Sequence, residues 1–365
     1  MNLRNILIYT LAIFLLVSCK KSKSPETEAD PIESYVVMVS FDGFRWDYTD
    51  MYETPNFDEL ATDGVKADRL IPSFPTKTFP NHYTLATGLY PDHHGIINNS
   101  FYASDLGGIY RIGDTQMVTN GAAYFGEPIW VTAEEQGVKS ACYFWVGSEA
   151  PIMGIRPTYW NTYNGSIPYQ ERVDQVIDWL TLPMSQRPAL VTLYFDEPDH
   201  TGHVAGPESE ATSEVVEYLD SILGYLRLEL SKLEHKDRIN LIVLSDHGMS
   251  PVSADKYINL NVYINEDWAI SVVGGNPVYL VQPEEDCADS IIHAFQGVEG
   301  LSAWQKDDIP EHLHYGSSPR FPGLLLLADS TWSIGFNPDP SGYSGGAHGY
   351  DQTFTDMHTI FYAEG

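Results

Sequence analysis

Short apolar runs alternate along the chain with stretches of helical period. Residues 35–41 (YVVMVSF) are apolar at nearly every position and stop at Asp42, the pattern of a strand buried on both faces. Similar runs predict strands at 139–145, 189–195, 239–245 and 323–328, several followed at once by acidic or histidine residues. Residues 55–64 predict a short helix with Thr54 as its cap and Pro55 in its first turn. Residues 212–233 predict a long amphipathic helix with Val215, Leu219, Ile222, Leu226 and Leu230 at helical spacing. Strands alternating with helices make an α/β fold, with a central, mostly parallel sheet and helices on both faces. In such sheets ligands bind outside the carboxyl ends of the strands, which singles out Asp42, residues 196–203, and Asp246 with His247. Residues from about 251 to 343 separate the third of these places from a last histidine motif and read as a smaller lobe inserted into one catalytic domain, 35–365.

The first 19 residues differ from the rest. A basic start at Arg4, an apolar stretch from Ile6 to Val17 and then Ser18 and Cys19 read as a secretory signal, too short for a confident membrane span. Leu16-Val17-Ser18-Cys19 resembles a bacterial lipoprotein box, in which the cysteine is acylated. Residues 20–34 are polar and are expected to be a flexible tether. The expected location is therefore an exported, membrane-anchored one, facing the periplasm or the cell surface.

A formal net charge of −30 argues against stable binding to nucleic-acid backbones. An acidic protein can still handle an anionic substrate if bound cations invert the local field. Beyond the leader only Cys142 and Cys287 remain, so no disulfide scaffold is built.

Five segments hold residue types suited to ligating cations: SFDGF with Asp42, TKTFPNH with Thr78, EPDHTGH with Asp199 and His203, SDHGM with Asp246 and His247, and GAHGYD with His348. Oxygen and imidazole donors without thiolate suit catalytic zinc, and seven groups suit two ions. Asp199 and His203 lie four apart, so in a helix or a tight turn both face one side, with His348 completing one set. Asp42, Asp246 and His247 form the other, with the Thr78 oxygen beside it. Thr78 begins a helical pattern that Gly88 can end, so it is expected at a helix N-terminus as its cap. That position offers amide donors and the positive end of the helix dipole to a phosphoryl oxygen.

At this point the chain resembles the nucleotide pyrophosphatase/phosphodiesterase family of the alkaline phosphatase superfamily. The likeness runs from about residue 35 to 365 and is most specific in FPTKTFPNHYTLATGLYPDHHGIINNS, FWVGSEAPIMGIRPTYWNTYNGSIPYQERV, YFDEPDHTGHVAGP, VLSDHGM and AHGYD. The resemblance implies an alkaline-phosphatase-like fold, two Zn²⁺ ions on the two sets above, the second of which also contacts Thr78, and Thr78 as nucleophile. It also implies that Asn99 donates to a phosphate oxygen and that Phe79 and Tyr163 sandwich a base, with Tyr194 lining the pocket. Two departures from the family pattern are Phe101, where methionine is common, and the end of the chain, beyond which members usually continue with a strand and a helix.

The implied activity is hydrolysis of nucleotide phosphodiester or pyrophosphate bonds, releasing nucleoside 5′-monophosphates through a phospho-threonine. Related chemistries on the same metals are a phospholipase C type that releases choline phosphate and a phosphate monoesterase. A tethered protein that binds phosphorylated ligands without turnover is the non-enzyme alternative.

Overall fold

The computed structural model describes residues 34–365. The signal, the lipid-anchor reading at Cys19 and all of the tether except Ser34 lie outside the described residues.

The central sheet contains β1 (Tyr35–Phe41), β2 (Val65–Lys66), β3 (Ser140–Tyr143), β4 (Tyr159–Asn161), β5 (Leu190–Phe195) and β6 (Ile239–Leu244). Between Pro251 and Tyr343 run β7 (Ala269–Gly275), β8 (Val278–Pro283), β9 (Leu301–Gln305) and β10 (Leu324–Ala328), and β11 (Phe361–Glu364) then returns to the central sheet. Its seven strands lie in the order β2-β11-β6-β1-β5-β3-β4. Strand β1 is parallel to both β5 and β6, with Val37 opposite Val191 and Leu241. Parallel pairing continues through β3 and β4, and only β11 runs antiparallel, against β6 and β2.

The sheet is therefore mostly parallel, and it explains the unbroken apolar runs. Six of the seven residues of β1 are buried, because parallel strands are covered on both faces. Phe41 stacks on Phe195 at 5.1 Å and meets Phe57 at 6.0 Å. Phe57 lies on α1 (Pro55–Asp63), one of the covering helices. The others that matter here are α2 (Thr78–Thr87), α3 (Tyr169–Thr181), α4 (Asp199–Ala205) and α5 (Glu210–Leu230).

Three expectations change. Thr54 occupies the cap position of α1, but its hydroxyl makes no cap bond. The buried Asp220 of α5 accepts from the amides of Asn56 at 3.0 Å and Phe57 at 2.9 Å instead. The apolar stripe of α5 runs through Val216, Leu219, Ile222, Leu223, Leu226 and Leu230, leaving Val215 at its margin. The run expected at 323–328 does form β10, but in a separate antiparallel sheet of order β7-β8-β10-β9. That sheet packs Leu326 with Ile258, Leu260 and Ile291 in a core of its own.

A candidate metal centre with an aromatic cavity

The carboxyl ends of β1, β5 and β6 converge. Asp42 follows β1, Asp246 and His247 follow β6, and α4 begins four residues after β5 with Asp199 and His203 one turn apart. The ladder continues past the strands: Asp42 N donates to Phe195 O at 2.9 Å, and Asp199 N donates to Asp42 O at 3.0 Å. Gly43 permits this approach. It has φ +71°, and a Cβ there would stand 2.9 Å from the Asp199 backbone. His348 comes from the end of the short strand Gly345–Ala347.

The acidic and imidazole groups face one another. His247 Nε2 lies 3.2 Å from Asp42 Oδ1 and 3.1 Å from Asp246 Oδ2. Asp199 Oδ1 lies 3.4 Å from His203 Nε2 and 3.5 Å from His348 Nε2. Ligand atoms of Asp42, Asp246 and His247 fall within 4.8 Å of one another, and so do those of Asp199, His247 and His348. His247 thus stands in both compact groups, and its ring stacks on that of His348 at 3.5 Å.

The donor chemistry fits a cation. The Nδ1 atoms of His203, His247 and His348 contact the carbonyls of Gly346 (2.8 Å), Gly248 (2.9 Å) and Thr76 (2.8 Å). A carbonyl only accepts, so each Nδ1 carries the proton and each Nε2 presents a lone pair. Opposite those lone pairs are Asp42 Oδ1, Asp199 Oδ1 and Asp246 Oδ2, all buried without a hydrogen-bond partner. Acceptor facing acceptor is stable when a cation, or a proton kept on a buried carboxyl, lies between them, and histidine fixed through its other nitrogen is the usual way proteins orient a metal ligand.

Burial and crowding displace the titrations. Burial, then the Asp246 charge, pushes the Asp42 carboxyl well above its ordinary range, and burial with Asp42 does the same to Asp199. Burial also acts on Asp246, but His247 and His82 outweigh it and hold that carboxyl low. Burial lowers His203 to about 4 and, with His247, takes His348 well below its usual value, so both rings are neutral as ligation requires.

Thr78 is the first residue of α2, while Lys77 occupies the cap position. The expected capping role for Thr78 is thus displaced by one residue, which leaves its hydroxyl free of a cap bond. It lies 3.1 Å from His247 Nε2. Asn99 Oδ1 accepts from the Phe79 amide at 3.0 Å, so the side chain of Asn99 is pinned to the helix start through its carbonyl. Tyr194 donates to Asp42 Oδ2 at 2.5 Å, and burial beside Asp42 keeps it a phenol.

A cavity of about 510 Å³ opens beside Thr78. Phe79, Tyr163 and Tyr194 line it together with Phe144 and Trp145, and its charged lining is acidic, from Glu149 and Asp196 as well as Asp42 and Asp199. The structure therefore brings every expected site residue to one region, except that Asn99 lies in the adjoining groove with Ser100 and Arg111.

Several contributors were missed. His82, four residues after Thr78, lies 3.2 Å from Asp246 Oδ2 through Nδ1 and 2.9 Å from Ser40 Oγ through Nε2. Its signal was the i, i+4 spacing within TKTFPNH. Lys77 is buried, donates to Asn276 O at 2.7 Å and is lowered to about 8 by burial. Phe144 and Arg172 lie within one of the stretches that carry the family resemblance, but no local pattern gives either a role at the site.

Residues 36–351 match the family described as Type I phosphodiesterase / nucleotide pyrophosphatase. Human ectonucleotide pyrophosphatase/phosphodiesterase family member 1 is 35% identical over 95% of this chain and 39% of its own length. Venom phosphodiesterase 2 of Crotalus adamanteus is 36% identical over 95% of this chain and 44% of its own. The chain thus spans about two-fifths of the length of these curated relatives. Among solved structures, murine ectonucleotide pyrophosphatase / phosphodiesterase 5, an inactive variant in complex with AMP, superposes with a TM-score of 0.86 at 35% identity, covering 91% of this chain and 88% of that one. With the mostly parallel sheet, the convergent acidic and imidazole groups and a match over 36–351, the chain belongs to the type I phosphodiesterase / nucleotide pyrophosphatase family of the alkaline phosphatase superfamily.

Proposed function

We propose that the protein is a two-zinc phosphodiesterase that cleaves nucleotide phosphodiester or pyrophosphate bonds and releases nucleoside 5′-monophosphates. The observation that carries this reading is the Thr78 hydroxyl, 3.1 Å from His247 Nε2, standing between the candidate metal ligands and an aromatic cavity of about 510 Å³. The solved murine relative lends support, since it holds AMP and its inactive form carries a threonine-to-alanine change.

In this reading Thr78 Oγ1 gives up its proton to solvent water and attacks phosphorus. The Oγ1–P bond forms as the bond from phosphorus to the departing alcohol or phosphate oxygen breaks. Water then cleaves the Thr78–phosphate ester, restoring the hydroxyl and freeing the nucleotide. Two zinc ions, one on Asp199, His203 and His348 and one on Asp42, Asp246 and His247, would stabilise charge on the attacking and leaving oxygens. Asn99 holds its amide towards a phosphate oxygen, a contact whose loss typically costs about 3 kcal/mol. Phe79 and Tyr163 offer ring faces to a base, and stacking tolerates any base.

A second reading has a specific observation in its favour. Glu149 and Asp196 beside Tyr163, Phe144 and Tyr194 would also suit a quaternary ammonium head group, held by cation–π contact and acidic charge. The test is steady-state kinetics on three nitrophenyl esters, of thymidine 5′-monophosphate, of phosphocholine and of plain phosphate, with and without chelator. Preference for the nucleotide ester, lost on chelation, supports the proposal. Preference for either other ester replaces it, and binding without turnover of any would make the protein a receptor.

A further inference from the structure

One buried guanidinium ties together the far wall of the aromatic cavity. Arg172, in the first turn of α3, is fully buried and does not line the cavity itself. Its Nε donates to Ile167 O at 3.1 Å and its Nη2 to Gly165 O at 3.3 Å. Its Nη1 donates to Tyr194 O at 3.1 Å and to Asp196 Oδ1 at 2.9 Å. The first pair of acceptors belongs to the segment that carries Tyr163, and the second pair to the end of β5 that carries Tyr194.

The flat of the same group lies over aromatic rings, 4.6 Å from the Tyr169 centroid and 5.3 Å from that of Phe144. Phe144 meets Tyr163 edge-on at 5.2 Å and adopts φ +68°. A left-handed backbone at a bulky residue persists only where its surroundings hold it, and such residues gather at functional sites. Tyr163 is 48% exposed, so burial of its own ring does little to fix it. Stacking on a ring that must first be ordered loses affinity to that ordering.

We propose that Arg172 is the positioning residue for Tyr163: its planar fork clamps the 165–167 turn to β5 and supports Phe144, so that the Tyr163 ring is held ready to stack on the nucleotide. The inference rests on the nucleotide reading of the cavity. Lysine keeps the charge but has no rigid fork, so it cannot serve four acceptors at once.

The test uses Arg172→Lys in the full chain, with the nitrophenyl ester of thymidine 5′-monophosphate and the base-free bis(nitrophenyl) phosphate. The expected result is a rise of about 5- to 30-fold in KM for the nucleotide ester, part of what a lost stack costs, with kcat within about twofold. The base-free diester should change by less than about twofold in kcat/KM, and Arg172→Lys in a Tyr163→Ala background should add less than about twofold. Equal losses on both esters, or a full additional loss in the Tyr163→Ala background, would overturn the positioning role. If the lysine variant does not fold, Asp196→Asn weakens the same clamp and must show the same dependence on Tyr163. A wild type that does not favour the nucleotide ester defeats the nucleotide reading and this role together, whereas a wild type that does, with an unresponsive clamp, defeats this role alone.

Discussion

The Thr78 hydroxyl stands 3.1 Å from Nε2 of His247, a histidine whose other nitrogen is already committed to Gly248 O at 2.9 Å. The threonine therefore stands beside a candidate ligand, and its proposed role as nucleophile should be separable from cation binding. Thr78→Ala is expected to lower kcat by about three orders of magnitude or more while leaving metal content nearly unchanged. Paired kinetics and elemental analysis check this. Retained diesterase activity would mean that water attacks phosphorus directly.

Tyr194 acts on the same centre from outside. Its phenol donates to Asp42 Oδ2 at 2.5 Å and leaves Asp42 Oδ1 without a hydrogen bond. Tyr194→Phe keeps the ring in the cavity and removes only that donor. Groups that orient a metal ligand typically contribute about 10- to 100-fold to affinity. Zinc affinity, measured by competition with a chromophoric chelator, should fall within that range, while KM for nucleotide esters at saturating zinc should stay close to wild type.

Asp220 offers a stability test away from the chemistry. It accepts from two amides at the start of α1 and from Asn56 Nδ2 at 2.6 Å. Asp220→Ala leaves those partly buried donors unpaired and should destabilise the fold by about 2 kcal/mol, read from the urea midpoint. Activity per folded molecule should not change.

The contrast between Asp199–His203 and Asp220–Asn56 explains what could be read from the sequence. Asp199 and His203 are four apart, and helical period alone puts them on one face. Asp220 reaches Asn56 across 164 positions, and no local pattern announces that contact. The same limit applies to Arg172, whose acceptors Tyr194 and Asp196 lie more than 20 positions away. Strand runs were legible because each buries both faces. The expected strand at 139–145 stops at Tyr143, however, because Phe144 turns into the left-handed region to face the cavity. Thr78 is the first residue of its helix and not the cap that threonine's local preference suggests, because the contact that places its hydroxyl, with His247, lies 169 positions away.

The leader supplies a prediction that is independent of the site. Leu16-Val17-Ser18-Cys19 reads as a lipoprotein box, and we propose that a lipid on Cys19 anchors the exported protein. Cys19→Ala expressed in a bacterial host should move the protein from the membrane fraction to the soluble fraction without altering specific activity. Unchanged membrane association would remove the anchor from consideration.

The last prediction concerns how the histidines would divide between the two proposed ions. His247 belongs to both compact groups, yet its protonated Nδ1 is spent on Gly248 and its Nε2 offers a single lone pair. It can therefore ligate only one ion. Asp42 and Asp246 both approach it, at 3.2 and 3.1 Å, which assigns it to their side. Asp199 and His348 then need another nitrogen, and His203 Nε2 at 3.4 Å from Asp199 Oδ1 is the one in reach. On this assignment His203→Ala and His247→Ala should each reduce bound zinc from about two ions to about one, and the double variant should hold almost none. The two single losses should also respond differently to excess zinc. The His203 side chain is 40% exposed, so water can take its place and added zinc should refill that site, whereas His247 is fully buried and its loss should not be recovered. Elemental analysis after desalting, repeated after incubation with zinc, measures both effects. If His203→Ala still holds two ions after desalting, His203 is not needed to hold an ion beside Asp199 and His348, and this division of the histidines is wrong.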